Sequence, residues 1–297
     1  MVSRLVGFGL LTAVAVGAAI GGLWWQSARA AAQERAVVLT DIEVELRREN
    51  LDRNALAQLA RRLDALTDRK AHPDLFRARA NVALALRLPE DAVRAVDDLA
   101  FAGQAVPEDA LLGARAFAAR HAMSGRGDDA GRAAKMALEY FDSQRDPSAA
   151  LLAWQCATRI EDSDLAQSAA AKLASALPES WEAKVVAALM DFDPQRAGSL
   201  ATLRTLQQEG RPIAELDLAI AMVELGSEEA DARERGVAAV KRVLELAPAS
   251  KPARIGAVLA ADRAGDAAAR AAHLRWLLEN YPHDERASKW QELLELR

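Results

Sequence analysis

The sequence between residues 250 and 282 reads SKPARIGAVLAADRAGDAAARAAHLRWLLENYP. Two runs of helix-forming residues, 250–264 and 267–280, lie on either side of the pair Gly265–Asp266, and Pro282 follows the second run. Glycine and proline interrupt helices, whereas small and apolar side chains at three- and four-residue spacing favour them. The stretch therefore predicts a helix, a short turn and a second helix that packs on a neighbour.

The same unit recurs along the chain at nearly constant length. Four proline intervals measure 34, 34, 36 and 34 residues, namely Pro73 to Pro107, Pro178 to Pro212, Pro212 to Pro248 and Pro248 to Pro282. A period of this length is typical of paired-helix repeats. We therefore predict an all-α fold over residues 31–297, an α-solenoid of about seven helix-turn-helix hairpins followed by a capping helix over 284–296. The predicted hairpins are 31–69, 73–103, 107–144, 147–177, 178–210, 212–247 and 248–281.

The composition is consistent with this fold and limits the possible partners. Hydrophobic residues make up 51% of the chain and aromatic residues only 5%, and alanine is abundant, which favours closely packed helices over sheets. The net charge is −5, with both signs interspersed and no basic stripe, so we expect no nucleic-acid partner. The single cysteine, Cys156, excludes an intrachain disulfide and a cysteine-cluster metal site.

The N-terminal residues 1–30 form a separate segment. From Leu5 to Trp25 there are 21 uncharged residues, which as a helix would measure about 31 Å, enough to cross a bilayer. Trp24 and Trp25 then lie where an interfacial aromatic belt is expected. We predict a retained transmembrane helix that contacts the lipid bilayer. The alternative is a secretory signal that is cleaved after the small-residue triplet 28–30.

Two further expectations concern this anchor. Small residues recur every four positions, which favours an anchor-mediated homodimer, although such residues are also ordinary in transmembrane helices: Gly9, Ala13, Gly17 and Gly21. The positive charges near the segment do not fix its orientation. Because the start of the chain is similar to an export signal, we expect a periplasmic body, with a cytoplasmic body as the alternative.

The quoted hairpin resembles the tetratricopeptide repeat. The resemblance rests on the segments LELAP at 244–248, AGD at 264–266 and LLENYP at 277–282. It is specific for the last repeat and weaker for the two before it. From residue 31 to about 177, only the helix-turn-helix architecture is similar. Arg254 and Arg270 depart from the pattern, because the family places a large aromatic residue and an alanine there. The resemblance implies a right-handed solenoid with a concave groove, in a family whose members mostly bind other proteins.

The resemblance also implies which residues line that groove, since it is formed by the first helix of each hairpin. The expected partner-binding residues are Glu182, Val185, Leu189, Leu259, Asp262 and Arg263. The alternative for each of them is an ordinary surface or packing position.

The sequence contains no pattern that predicts catalysis. Its four histidines lie in different hairpins without the i, i+4 spacing of a helical zinc site, and no phosphate-binding loop or Gly-x-Ser-x-Gly motif is present. We expect no catalytic residues, no metal and no cofactor. The favoured function is a non-catalytic scaffold, anchored in a bacterial inner membrane, that assists assembly or quality control of an envelope complex. The alternative is a permanent structural subunit of a larger membrane complex.

Overall fold

The computed structural model describes residue 26 and residues 28–48, 50–67, 72–103, 106–196 and 198–295. The predicted membrane segment 5–25, with its small-residue stripe, lies outside these described residues. Within them, none of the helices combines the length and the apolar character needed to span a bilayer.

The described residues form an all-α array with no strand. The first helix, α1, covers residues 28–46. The helices that follow are α2 (Arg53–Thr67), α3 (Pro73–Ala85), α4 (Pro89–Phe101), α5 (Pro107–Ser124), α6 (Gly127–Gln144), α7 (Pro147–Arg159), α8 (Ser163–Ala176), α9 (Trp181–Met190), α10 (Ser199–Glu209), α11 (Ala214–Leu225), α12 (Ala230–Leu246), α13 (Lys251–Arg263), α14 (Ala267–Asn280) and α15 (Ala287–Glu295).

The helices pack as a helical repeat array. Each helix from α2 to α15 contacts the next one along the chain. The odd-numbered helices from α3 to α13 also contact one another in order, so they form one continuous layer. This layer is made of the first helices of successive pairs, and it is the layer that positions the site described below.

The prolines and polar caps explain where the helices begin. Pro73, Pro89, Pro107 and Pro147 occupy the first turn of a helix, where a missing amide hydrogen costs nothing. Several helices, including α7, begin after a side chain that accepts a hydrogen bond from a backbone N–H of the first turn, an interaction that contributes about 1 kcal/mol. These caps are Asp146, Asp162, Ser180, Ser250 and Asp266.

Alanine allows the central helices to approach each other closely. At the contacts among α5, α6 and α7, Ala114, Ala133 and Ala153 are fully buried beside Phe117 and Phe141. Small side chains shorten the distance between helix axes, and the two aromatic rings fill the space that remains. The alanine excess of the sequence is therefore a property of the core.

The last helix differs from its prediction. Expected over 284–296, it begins instead at Ala287, and its described part ends at Glu295. The carboxylate of Asp284 accepts the backbone N–H of Arg286, and this local bond holds residues 284–286 in a turn. Trp290 is buried with Leu274 and Leu277 of α14, so α15 covers the end of the preceding pair.

Candidate functional site

The array contains a groove bounded by three first helices, α7, α11 and α13. Its volume is about 370 Å³. We call it the inner groove, and its lining consists of Thr158, Arg159, Ala214, Glu215, Leu218, Ala219, Met222, Ala247, Ser250, Pro252, Ile255 and Arg286.

Curvature of the array brings α7 and α11 together, although α9 lies between them in the sequence of first helices. Arg159 at the end of α7 donates from Nε to Oε1 of Glu215 at the start of α11, at 2.9 Å. Gln155 donates from Nε2 to the other carboxylate oxygen at 2.6 Å. The negative charge of Glu215 raises the pKa of Arg159 in spite of its burial. The polar groups at this edge are therefore paired with one another.

The floor of the inner groove is apolar and partly open. Met222 remains 36% exposed, and the smaller side chains of Ala214 and Ala219 leave free volume beside it. Ile255 of α13 also lines the groove. A methionine side chain is unbranched and polarisable, so it can adapt to apolar groups of different shape. The floor can therefore accept an aliphatic side chain, whereas it offers no catalytic group.

Near the groove, the turn before α13 contacts the end of helix α5. The backbone N–H of Ala249 donates to the carbonyl of Ala122 at 3.2 Å. His121 lies beside this contact, nearly buried, and its Nδ1–H donates to the carbonyl of Arg126 at 2.9 Å. Burial lowers the pKa of His121, and the charge of Arg159 acts in the same direction. The ring is therefore neutral at pH 7.

Four charged residues at the rim form a cluster that we call the clasp: Glu161, Lys251, Asp284 and Arg286. Nζ of Lys251 is 2.6 Å from Oε1 of Glu161 and also contacts Asp284. Arg286 donates from Nε to Asp284 at 2.9 Å. The side chains of Lys251 and Asp284 are only 8% and 5% exposed, so this pair is shielded from water.

The surroundings of the clasp keep its members charged. Hydrogen bonds from Arg286 and Lys251 hold the pKa of Asp284 well below its usual range, although burial opposes this. Burial favours the neutral amine of Lys251, but hydrogen bonds to Asp284 and Glu161 outweigh it and raise the pKa of Lys251. The clasp therefore joins the turn after α7 to α13 and to the turn before α15 by charge-assisted bonds.

The three groove residues expected on α9 lie away from the inner groove. Val185 is completely buried in the core, which fits the alternative of a packing position. Leu189 is partly buried against the same core. Glu182 forms an ion pair with Arg211 at 3.2 Å.

The three expected on α13 lie on the exposed part of that helix. Leu259 is exposed one turn beyond Ile255, outside the lining of the inner groove. Asp262 pairs with Arg270 at 2.8 Å, and Arg263 is exposed. Binding of a partner by these side chains stays a prediction.

The residues that form the groove floor and its paired edge were not predicted from the sequence. Met222 and Ile255 belong to first helices and could have been selected by that criterion. Arg159 and Glu215, in contrast, are 56 residues apart, and no local pattern predicts their contact.

The described residues contain no group of histidine, cysteine, aspartate and glutamate that could hold a metal ion. Cys156 is fully buried, and burial raises its pKa to about 12, so the thiol is protonated at neutral pH. It is a core residue on α7 and lacks the thiolate that nucleophilic chemistry requires.

Comparison with known proteins gives similarity at the level of structure only. No protein-family model and no curated sequence matches the chain. The crystal structure of the APC/C hetero-tetramer Cut9-Hcn1 is similar over 88% of this chain, with 13% identity and a TM-score of 0.49. The crystal structure of yeast Tom70 is similar over 82%, with 13% identity and a TM-score of 0.38. This chain spans 51% and 58% of those two chains.

Proposed function

We propose that this chain is a non-catalytic interaction scaffold whose inner groove holds a short segment of another protein. The observation that carries the proposal is the exposed apolar floor at Met222, set between Ile255 and the small residues of α11. The volume of about 370 Å³ is at the lower end of ligand pockets, which suits one or two side chains.

The polar edge defines the chemistry of the partner segment. Arg159 and Glu215 bond to each other, and Arg286 bonds to Asp284, so these charges are already compensated. An anionic or cationic ligand would have to break one of these pairs to be recognised. An uncharged segment that inserts an aliphatic side chain into the floor loses no such bond. We therefore commit to a protein segment with an aliphatic anchor residue.

A peptide selection with the full chain in detergent tests this proposal. Peptides from a random library that bind the wild-type chain should share an aliphatic residue and should bind Met222→Lys at least tenfold more weakly, because the substitution puts a charge on the apolar floor. Met190→Lys is the matched control, since Met190 is exposed on α9 outside the groove. Equal binding to all three chains would contradict the proposal.

We further propose that residues 5–25 anchor this scaffold in a bacterial inner membrane, with the body in the periplasm. The uncharged run of 21 residues supports the anchor. The resemblance of the last hairpin to the tetratricopeptide repeat supports a role in holding other proteins, here during assembly or quality control of an envelope complex. A reporter enzyme that is active only in the periplasm, fused after Arg297, should be active. Activity of a cytoplasm-only reporter instead would reverse the orientation.

A permanent structural subunit is the second candidate, and an outer apolar surface favours it. Phe101 at the end of α4 is 89% exposed, and Val106 is exposed nearby. A cavity of about 490 Å³ lies beside them between α4, α5 and α6, with Val106, Met136 and Tyr140 in its wall. Native mass measurement after gentle detergent extraction separates the candidates, because a subunit remains in a stoichiometric complex that Phe101→Glu would weaken.

A further inference from the structure

The outer surface formed by α4, α5 and α6 carries an exposed aromatic ring next to a largely apolar cavity. Phe101, the last residue of α4, is 89% exposed. The cavity of about 490 Å³ begins at the preceding residue, Ala100, and continues along Val106, Met136 and Tyr140. Phe101 is not among the described residues of that wall, so it does not fill the cavity of its own chain. An exposed ring that adjoins an apolar cavity makes a continuous patch, and such patches mark interaction surfaces.

A projecting ring and a cavity on one surface are complementary to a second copy of that surface. When a two-fold axis relates two copies, each contact of one residue with another occurs twice, once in each direction. Because Phe101 directly follows Ala100 of the cavity wall, an axis that passes between the ring and the cavity would place each ring over the other copy's cavity. An unrelated protein would need both a cavity for the ring and a side chain for the cavity, whereas a second copy provides both by symmetry.

The charges beside the ring and beside the cavity are also complementary. Asp97 and Asp98 lie one turn before the ring on α4, and neither has an ion-pair partner in the part of the chain that the structure describes. Lys135 lies just before, and Arg145 just after, the part of α6 that lines the cavity, and neither cation pairs with a described carboxylate. Glu139 adds one unpaired negative charge to the wall, which the two cations outweigh. Acidic groups beside one ring would therefore meet cations beside the other copy's cavity.

We propose that this outer surface binds a second copy of the chain, and that each Phe101 enters the cavity of the other copy. The proposal deepens the subunit candidate of the preceding section, because it names the partner that covers the exposed ring. It does not rest on the inner groove, which is bounded by other helices. It also differs from the anchor-mediated homodimer expected from the sequence, because the helical array itself makes the contact.

Native mass measurement of the full chain in detergent tests whether a second copy is bound. The wild type should be a dimer, and Phe101→Glu should raise the dissociation constant by about tenfold or more, because a carboxylate loses its hydration in an apolar cavity. Leu246→Glu is the matched control, since Leu246 is 56% exposed on α12 and its substitution should leave the dimer intact. A monomeric wild type, or a dimer that persists in Phe101→Glu, would overturn the proposal.

Reversed charges give a second test, in which association is first lost and then restored. Asp97→Lys with Asp98→Lys makes both sides of the surface positive, whereas Lys135→Glu with Arg145→Glu makes both sides negative. Each double variant alone should dissociate more readily than the wild type, because like charges then face each other across the two-fold axis. An equimolar mixture of the two should associate, since both contacts then join opposite charges. If the mixture associates no better than either variant alone, a second copy is not the partner.

The outcomes separate this proposal from the functions proposed above. If the wild type is instead held in a heavier stoichiometric complex with another protein, and Phe101→Glu disrupts that complex, the second copy fails as the partner while the subunit candidate stands. If the dimer forms as expected and no peptide binds the inner groove, the scaffold function fails and the dimer stands.

Discussion

Arg159 of α7 and Glu215 of α11 form an ion pair. It joins these two helices directly, although α9 lies between them in the order of first helices. Two guanidinium nitrogens of Arg159 lie 2.9 and 2.7 Å from the same carboxylate oxygen, and Gln155 occupies the other oxygen. The pair joins helices that are two pairs apart, in addition to the apolar core that α7, α9 and α11 share. It is therefore a structural determinant of the inner groove as well as one of its edges.

Removing one member of this pair should destabilise the chain. Arg159→Met leaves Glu215 largely buried with only Gln155 as partner, and we expect a loss of about 1–3 kcal/mol in the free energy of unfolding. The double variant Arg159→Met with Glu215→Met should recover part of that loss, because no unpaired charge remains. Urea denaturation of the full chain in detergent measures both.

The control for these two variants is an exposed ion pair. Lys172→Met removes the contact with Asp142, where both side chains are more than a third exposed, and should cost less than about 1 kcal/mol. A loss of the same size at both sites would mean that the Arg159–Glu215 pair contributes no more than a surface ion pair.

The contact between the turns at residues 125 and 249 can be captured chemically. A Cβ atom built on Gly125 lies 3.5 Å from that of Ala249, within the range that a disulfide spans. The double variant Gly125→Cys with Ala249→Cys should therefore crosslink on oxidation, even though a cysteine with positive φ at residue 125 costs about 1–2 kcal/mol. Electrophoresis without reductant detects the closed species by its greater mobility.

A second glycine with the same backbone conformation serves as the control. Gly265 has a φ of 69°, but a Cβ atom there would have no neighbour within 4 Å. Gly265→Cys with Ala249→Cys should stay uncrosslinked under the same oxidation. If neither pair crosslinks, the turn between α12 and α13 does not lie against the turn after α5 in solution.

A substitution at Arg87 should stabilise the chain, because it relieves strain in the backbone. This residue follows α3 with φ of 61°, is exposed, and occupies the position that glycine fills after α13. Arg87→Gly should raise the free energy of unfolding by about 0.5–1 kcal/mol, since the strain outweighs the larger entropy of the unfolded glycine. Arg87→Ala keeps the Cβ atom and should give no gain. Thermal unfolding of the two variants decides between relief of strain and loss of the side chain.

The sequence alone predicted the helices well, because their signals are local. The Gly265–Asp266 turn and the first-turn prolines lie at the observed helix boundaries. The error at α15 came from a single bond, between Asp284 and the backbone of Arg286, which no periodicity encodes. Val185 is buried in the core although it belongs to a first helix, because a first-helix position can face either the groove or the core.

The groove and the clasp were beyond sequence analysis for a different reason. Lys251 and Glu161 are 90 residues apart, and their meeting depends on the accumulated rotation of every helix pair between them. A small change of angle in each pair would separate them by many ångströms. Contacts of this kind require the three-dimensional arrangement, whereas each helix pair can be predicted from about 34 residues of local sequence.

Between pH 5 and 7, the free energy of unfolding should depend on the protonation of His121. Burial lowers its pKa in the folded chain below the ordinary 6.5, so the unfolded chain binds more protons in this range. The stabilising contribution is complete above pH 6.5 and is lost as the pH falls, with a slope of at most about 1.4 kcal/mol per pH unit. Asp109 and Asp284 have lowered pKa values, so their contributions are lost only in more acidic solution.

The variant His121→Asn isolates this effect. The asparagine amide can replace the Nδ1–H bond to the carbonyl of Arg126, but it takes up no proton. Its unfolding free energy, measured by urea denaturation at several pH values, should fall less steeply than that of the wild type between pH 7 and 5. His273, whose pKa is lowered by burial and by the charge of Arg254, should account for part of the remaining slope. Parallel curves for His121→Asn and the wild type would mean that protonation of His121 does not contribute to the loss of stability in acid.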